Sequence, residues 1–329
     1  MVTKEEITER DISMMRRALQ LAAQGAGHVS PNPMVGAVIT DATGRIIGEG
    51  WHRAYGGPHA EVQAFLDVRP DDEHLLKESS IYVTLEPCSH YGKTPPCAEL
   101  LIRKGITRAV IGCGDPNPKV SGRGIRMLRE AGITVVENVL EDECRYLNRR
   151  FMTAQTLRRP WIELKWAQSA DGFMAADNPA VSAPGESGYL PVALSTPVSA
   201  VLMHRERSLC DAIMVGTDTL ITDNPSLTTR LWPGRSPRPV LFRSDRLPDT
   251  LRILDRDPIW LDPALPLQEN MRLLFSQHGI TSLMVEGGAR LLESFITAGL
   301  FDEIRVETSC FPLKSGLRSP VLPHTVGQS

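Results

Sequence analysis

The sequence contains no apolar run approaching the roughly 20 residues that a membrane-spanning helix requires, so a helical span is not expected. Positive charge is not in excess: 36 Lys and Arg stand against 39 Asp and Glu, a net charge of −3. Sequence-independent nucleic-acid binding needs basic surface to displace counterions, and nothing in this balance supplies it. Aromatic residues make up only 5% of the chain, so its cores must be built mainly from Leu, Val, Ile and Ala. There are only six cysteines (Cys88, Cys97, Cys113, Cys144, Cys210 and Cys310), scattered rather than crowded. That usage fits a reducing compartment, where a special cysteine serves metal binding or catalysis. The stretch Met1–Arg10 is polar and acidic, with neither a signal-peptide nor a transit-peptide pattern, which points to the cytoplasm. No short-period repeat, low-complexity tract or G-x-G-x-x-G fingerprint is found, so a Rossmann dinucleotide domain is not expected.

What remains is an ordinary globular composition, 42% hydrophobic and 23% charged, over 329 residues. That length suits two domains. Strand and helix signals alternate through the first half. A helix at Ile12–Ala23 precedes a hairpin, Val35–Thr40 and Arg45–Gly50, turning at Asp41–Gly44. A helix near His59–Asp67, a strand at Ile81–Leu85, a helix at Cys97–Lys104 and a strand at Ala109–Cys113 follow. A helix near Gly124–Ala131 and a strand at Ile133–Glu137 complete the set. One long helix, Glu141–Thr156, then runs toward Arg159–Pro160, where the residue before proline leaves the helical region. The boundary is placed near 148–158, giving domains 1–150 and 151–329. The second half restarts with a strand at Trp161–Trp166. Further helices are expected at Pro197–Arg207, Gln268–His278 and Ala289–Ala298, and strands at Ala212–Val215, Ser282–Val285 and Glu303–Thr308. Asp177–Pro191 reads as a surface loop and Pro225–Pro239 as a proline-rich connection. The fold class expected is α/β in both domains, with helices layered on sheets.

The chemistry is concentrated in His59-Ala60-Glu61 and in Pro87-Cys88 followed by Cys97. One imidazole and two thiolates form a three-ligand zinc set that keeps a tetrahedral position open for water. A carboxylate two residues from the histidine can carry that water's proton to a ring nitrogen and a leaving amine, as in the zinc nucleobase deaminases. A lone His-x-Glu is commonplace, and so are two cysteines nine positions apart. Their conjunction is informative because His59 opens a helix after Gly56-Gly57-Pro58 and Cys88 directly follows a strand. The eight residues between the cysteines depart from the two usual in that signature. They supply a loop, His90–Pro96, whose Lys93 can meet an anionic substrate group. In the second half, Glu286-Gly287-Gly288 lies between a strand and a helix, a turn that lets phosphate approach backbone N–H groups.

Ser30-Pro31-Asn32-Pro33-Met34-Val35-Gly36-Ala37-Val38, Gly57-Pro58-His59-Ala60-Glu61 and Glu86-Pro87-Cys88 through Cys97 together resemble the bifunctional riboflavin-biosynthesis deaminase/reductase family, over nearly the whole chain. The resemblance implies a cytidine-deaminase-like α/β/α N-terminal domain and a dihydrofolate-reductase-like C-terminal domain. It implies hydrolytic deamination of 2,5-diamino-6-ribosylamino-4(3H)-pyrimidinone 5′-phosphate, then reduction of the ribosyl group to a ribityl chain. The implied cofactors are Zn2+ and NADPH. By motif, His59, Cys88 and Cys97 would hold zinc and Glu61 would shuttle protons; Asn32, His52, Lys93, Asp115 and Asn117 would line the deaminase pocket. Gln168, Thr219, Asp223 and Gly288 would bind NADPH. Lys165, Arg207, Leu227, Arg230 and Glu286 would meet the reductase substrate, an arginine pairing phosphate through two hydrogen bonds. The expected partner is a small pyrimidine ribose phosphate, with no nucleic acid and no membrane, and a homo-oligomer (dimer or tetramer) is left open. Pro191 and Ala193 replace a Ser-x-Trp pattern, and Asp257–Pro266 is short. These departures keep open the alternative of a zinc deaminase with a degenerate, non-reducing C-terminal domain.

Overall fold

The structure is a computed structural model that describes residues 6–91, 95–116, 121–178 and 188–322. Lys93 and Asn117 lie outside the described residues. The chain divides into two compact units, Met1–Leu157 and Arg158–Ser329.

The first unit is a sheet between two helical layers. Its strands are β1 (Gly36–Thr40), β2 (Ile46–Trp51), β3 (Ser80–Leu85), β4 (Arg108–Cys113) and β5 (Thr134–Val136). Among the described residues they run in the order β2-β1-β3-β4-β5. β1 is antiparallel to both β2 and β3, and β3, β4 and β5 are parallel. Both faces are buried, so β1 is buried at every position and β4 at every position after Arg108, rather than alternately. One face, with Ile39, Ile81, Val83 and Ala109, packs on α2 (Ala60–Asp67), α3 (Cys97–Lys104) and α4 (Arg123–Glu130). The other, with Val38, Tyr82 and Val110, packs on α1 (Glu9–Ala23), α5 (Glu141–Leu147) and α6 (Arg149–Leu157). Two glycines of β2 set how close α2 can come. A Cβ at Gly48 would run into the Ala64 carbonyl oxygen, and one at Gly50 into backbone atoms of Ala60 and Ala64. The single helix expected over Glu141–Thr156 is broken at Asn148, whose ψ is 17°. The Asn148 amide accepts from Met34 N and donates to Met34 O, both at 2.8 Å. This tertiary pairing interrupts a local pattern that favours one continuous helix.

In the second unit β6 (Trp161–Gln168), β9 (Ala212–Met214), β10 (Arg238–Phe242), β11 (Ile259–Leu261), β12 (Ser282–Glu286) and β13 (Glu303–Thr308) form a parallel sheet. Their order is β11-β10-β9-β12-β6-β13. α9 (Leu267–His278) and α10 (Ala289–Thr297) cover one face through Met271, Leu274, Leu292 and Phe295. Met203 of α7 (Pro197–Ser208), Leu220 of α8 (Thr217–Asp223) and the buried Leu227, Leu251 and Ile253 cover the other. A small antiparallel sheet, β14-β7-β8, joins Gly316–Arg318, Phe173–Asp177 and Tyr189–Leu190. The sequence reading did not anticipate β7, β8, β10, β11, β14 or α8. β10 contains Pro239, and the short Asp257–Pro266 segment nevertheless supplies β11, whose register with β10 is regular. In parallel sheets ligands bind outside the carboxyl ends of the strands. Here Gly216 follows β9, Glu286 ends β12 before Gly287, and Lys165 of β6 stands level with Glu286.

Candidate active sites

In the first unit α2 and α3 direct their N-termini at one point. His59 is the N-cap of α2, in extended conformation, and Glu61 lies in its first turn. Cys97 is the first residue of α3 after Pro96, a cap with no N–H to donate. The Cys97 backbone N–H donates to Cys88 Sγ at 3.2 Å, and Ala98 N–H to Cys88 O at 3.1 Å, so the start of α3 steadies the loop after β3. His59 Nδ1 lies 3.7 Å from Cys88 Sγ and 3.4 Å from Cys97 Sγ, with all three ligand atoms within 4.8 Å of one another. A tetrahedral site with Zn–N and Zn–S bonds of about 2.0 and 2.3 Å has edges of roughly 3.6 Å. The two distances from His59 Nδ1 to the sulfurs therefore match those of a zinc site. Hydrogen bonding with Cys97, and then with His59, outweighs burial and pushes the Cys88 thiol down to about 4. The same contact with Cys88, together with burial, pushes Cys97 up, so the pair retains one proton that a bound cation would displace.

His59 and Cys88 open into a cavity of about 350 Å³ that is also lined by Asn32, His52, Glu61, Glu86, His90 and Asp115. Glu61 is 3% exposed, and burial, reinforced by the Cys88 charge, raises its carboxyl above the ordinary value. A carboxyl raised in this way takes up a proton more readily than an ordinary one, as a residue that must both accept and deliver protons requires. His52 Nδ1 faces Pro58 O at 3.0 Å and its Nε2 faces Asn32 Nδ2 at 3.1 Å. The carbonyl can only accept, so Nδ1 carries the hydrogen and Nε2 accepts from Asn32. Burial, opposed by the Pro58 hydrogen bond and aided by the neighbouring His59, pushes the His52 pKa down. Asn32, His52, Glu61, Asp115 and the three ligands are thus brought together as expected. Glu86, Phe151 and Gln155 also line the cavity and were missed. Glu86 could have been noticed beside Pro87-Cys88, but nothing in the sequence places α6 at this site.

In the second unit Lys165, Arg207, Leu227, Arg230 and Glu286 line one cavity of about 600 Å³, with His204, Asp223 and Arg252. Thr219, Asp223 and Gly288 line an adjoining cavity of about 630 Å³, where Gly288 caps α10 with φ +77°. A Cβ on Gly288 would lie 3.3 Å from both Gly216 Cα and Thr219 Oγ1, so the cleft there is only as wide as two glycines allow. Gln168 does not line either cavity; it accepts from the Trp166 indole at 2.9 Å. Arg207, expected to offer its fork to phosphate, directs Nε and Nη2 to the Glu286 carboxylate at 2.7 and 2.6 Å and Nη1 to Thr228 O. Pro191 and Ala193 stand in the walls of this region.

A His-Cys-Cys cluster beside a buried glutamate, followed by an α/β unit with a glycine-lined cleft, defines a zinc-site deaminase joined to a second catalytic domain. Residues 8–113 match the cytidine and deoxycytidylate deaminase zinc-binding region, and residues 160–314 match the RibD C-terminal domain. The chain is 37% identical to riboflavin biosynthesis protein RibD of Actinobacillus pleuropneumoniae, covering 90% of this chain and 83% of that one. It is 38% identical to RibD of Aquifex aeolicus, covering 91% and 87%. The crystal structure of a Thermotoga maritima diaminohydroxyphosphoribosylaminopyrimidine deaminase/5-amino-6-(5-phosphoribosylamino)uracil reductase aligns with a TM-score of 0.83 at 34% identity, covering 97% and 93%. Acinetobacter baumannii RibD aligns with a TM-score of 0.83 at 32% identity, covering 97% and 93%. The chain belongs to the RibD family of bifunctional riboflavin-biosynthesis deaminase/reductases. A degenerate C-terminal domain is not favoured, since the family match runs through both halves.

Proposed function

We propose that the first unit hydrolyses the 2-amino group of 2,5-diamino-6-ribosylamino-4(3H)-pyrimidinone 5′-phosphate and that the second reduces the ribosyl group of the product to ribityl. The observation that carries the first step is the buried Glu61 sharing one cavity with His59 and Cys88, whose ligand atoms cluster with Cys97 Sγ. Those three residues hold zinc, which when bound supplies a nucleophilic water at neutral pH. Glu61 takes a proton from the attacking water and delivers it to the ring nitrogen, then takes the second proton from the hydroxyl now on the ring carbon and passes it to the amino group, which leaves as ammonia while the carbonyl forms. Asn32, whose amide nitrogen is turned toward His52, offers its oxygen to a substrate N–H. His52 holds that amide in place, and Asp115 meets the substrate from the opposite loop, with Lys93 and Asn117 as further contacts.

For the second step, Gly288, Thr219 and Asp223 hold NADPH, whose chemistry when bound is hydride donation; Gln168, which the resemblance also gives to the cofactor, lines neither cavity. Lys165 and Arg230 present positive charge to the substrate phosphate, while the Arg207–Glu286 pair and Leu227 shape the wall. The protein works in the cytoplasm on small molecules. Incubating it with the diaminopyrimidinone phosphate should release ammonia without NADPH, and NADPH oxidation should require that first step. Glu61→Gln should lower deamination by at least about 10²–10⁴-fold, the share of one general acid/base, and spare reduction of already deaminated substrate. Equal loss of both activities in a folded variant would refute the two-site reading.

A further inference from the structure

The Glu86 carboxylate is buried, 4% exposed, in the wall of the first cavity and has no part in the chemistry described above. Its backbone still belongs to the sheet, since Glu86 N donates to Cys113 O at 2.9 Å. Its side chain reaches across to the segment that follows β4. Oε2 accepts from Asp115 N at 3.3 Å and Gly122 N at 2.9 Å; Oε1 accepts from Gly124 N at 3.0 Å and Ile125 N at 3.4 Å. The first N–H groups of a helix have no partner inside the helix. The N-cap of α4 is Gly122, which has no side chain to satisfy them. Glu86 therefore caps α4 from another element and, with the same two oxygens, holds the backbone of Asp115. Four donors occupy the roughly four lone-pair sites of a carboxylate, leaving none to receive a substrate group. Gly124 permits this approach, because a Cβ there would run into the Pro87 carbonyl oxygen.

We propose that Glu86 is a positioning residue for the deamination reaction: it clamps the ends of the segment between Asp115 and Gly122 to the strand that leads into Cys88, and so fixes Asp115 in the cavity wall. The proposal rests on the deaminase reading given above. A carboxylate is required because an amide offers one oxygen and would turn its NH2 toward backbone N–H groups. Glu86→Gln should therefore keep its zinc while raising the KM for the diaminopyrimidinone phosphate by about tenfold or more, the effect of leaving buried donors unpaired. The kcat should change by no more than a few-fold, and the amides of Gly122, Gly124 and Ile125 should exchange faster while those of β3 and β4 do not. If Glu86 acts through Asp115, Glu86→Gln should raise KM less than twofold in an Asp115→Ala background. An equal rise in both backgrounds, loss of zinc, or an unchanged KM in a protein whose wild type turns over this substrate overturns the proposal alone. Absence of wild-type turnover overturns the deaminase reading and the proposal with it. Should Glu86→Gln fail to fold, Gly124→Ala, which forces α4 away from Pro87, must raise KM in the same way with zinc retained; an unchanged KM there overturns the clamp.

Discussion

Gly288→Val tests the reading of the second unit most directly. Gly288 has φ +77°, and a Cβ there meets Gly216 Cα and Thr219 Oγ1 at 3.3 Å, closer than ordinary van der Waals contact. Two effects must be separated. A left-handed backbone costs a residue bearing a Cβ about 1–2 kcal/mol, and that cost falls on stability. The two γ-methyls must also fit into a cleft bounded by Gly216, Thr219 and Leu291, where overpacking typically costs about 1–3 kcal/mol. If NADPH binds here, the second cost appears in its affinity, a rise in Kd of about 5- to 150-fold. Gly288→Ala is the control, because it carries the backbone strain without the γ-methyls. Fluorescence titration of NADPH should show a small change for alanine and a large one for valine. Thermal unfolding of the second unit should shift for both variants, and deaminase turnover should stay near wild type. Wild-type NADPH affinity in folded Gly288→Val protein would falsify the assignment of this turn to the cofactor.

Cys88→Ala should lower the zinc content from about one per chain to nearly none by metal analysis, because one of three ligands is lost; full occupancy in that variant would remove Cys88 from the site. Asn148→Ala removes both hydrogen bonds to Met34 and should destabilise the first unit by about 1–3 kcal/mol, read as a lower denaturation midpoint. An unchanged midpoint would mean that the break between α5 and α6 has another cause.

The deaminase constellation was legible because its chemistry depends on local sequence. His59 and Glu61 share one helix start, and Cys97 opens another after a proline, so composition and spacing place them without knowledge of the tertiary fold. The same holds for α3, which ends at Gly105 with φ +77°. What could not be read depends on distant partners. Nothing near Asn148 announces Met34, 114 residues away, and the helical pattern from Glu141 onward is unbroken until that contact forms. The Arg207–Glu286 pair, 79 residues apart, is equally invisible, so an arginine expected to face phosphate is found holding a carboxylate. β10 escaped notice because Pro239 argues against a strand, yet it pairs in regular register with β9. In each case a long-range contact overrode a local preference.

The convergence of α2 and α3 has a consequence for how this protein could change. His59, Glu61 and Cys97 sit at the starts of helices packed on the sheet, whereas Asn32, His90 and Asp115, like the ligand Cys88, sit on connecting segments that line the cavity. Reactivity and selectivity are thus assigned to different parts of the chain. Exchange of the connecting segments, with Cys88 kept, could retune which heterocycle is admitted while the hydrolytic machinery stays intact. Altering the helix starts would abolish turnover for every heterocycle alike. A library confined to the rim is therefore a search over substrates, and one that reaches His59, Glu61 or Cys97 is a search over dead proteins.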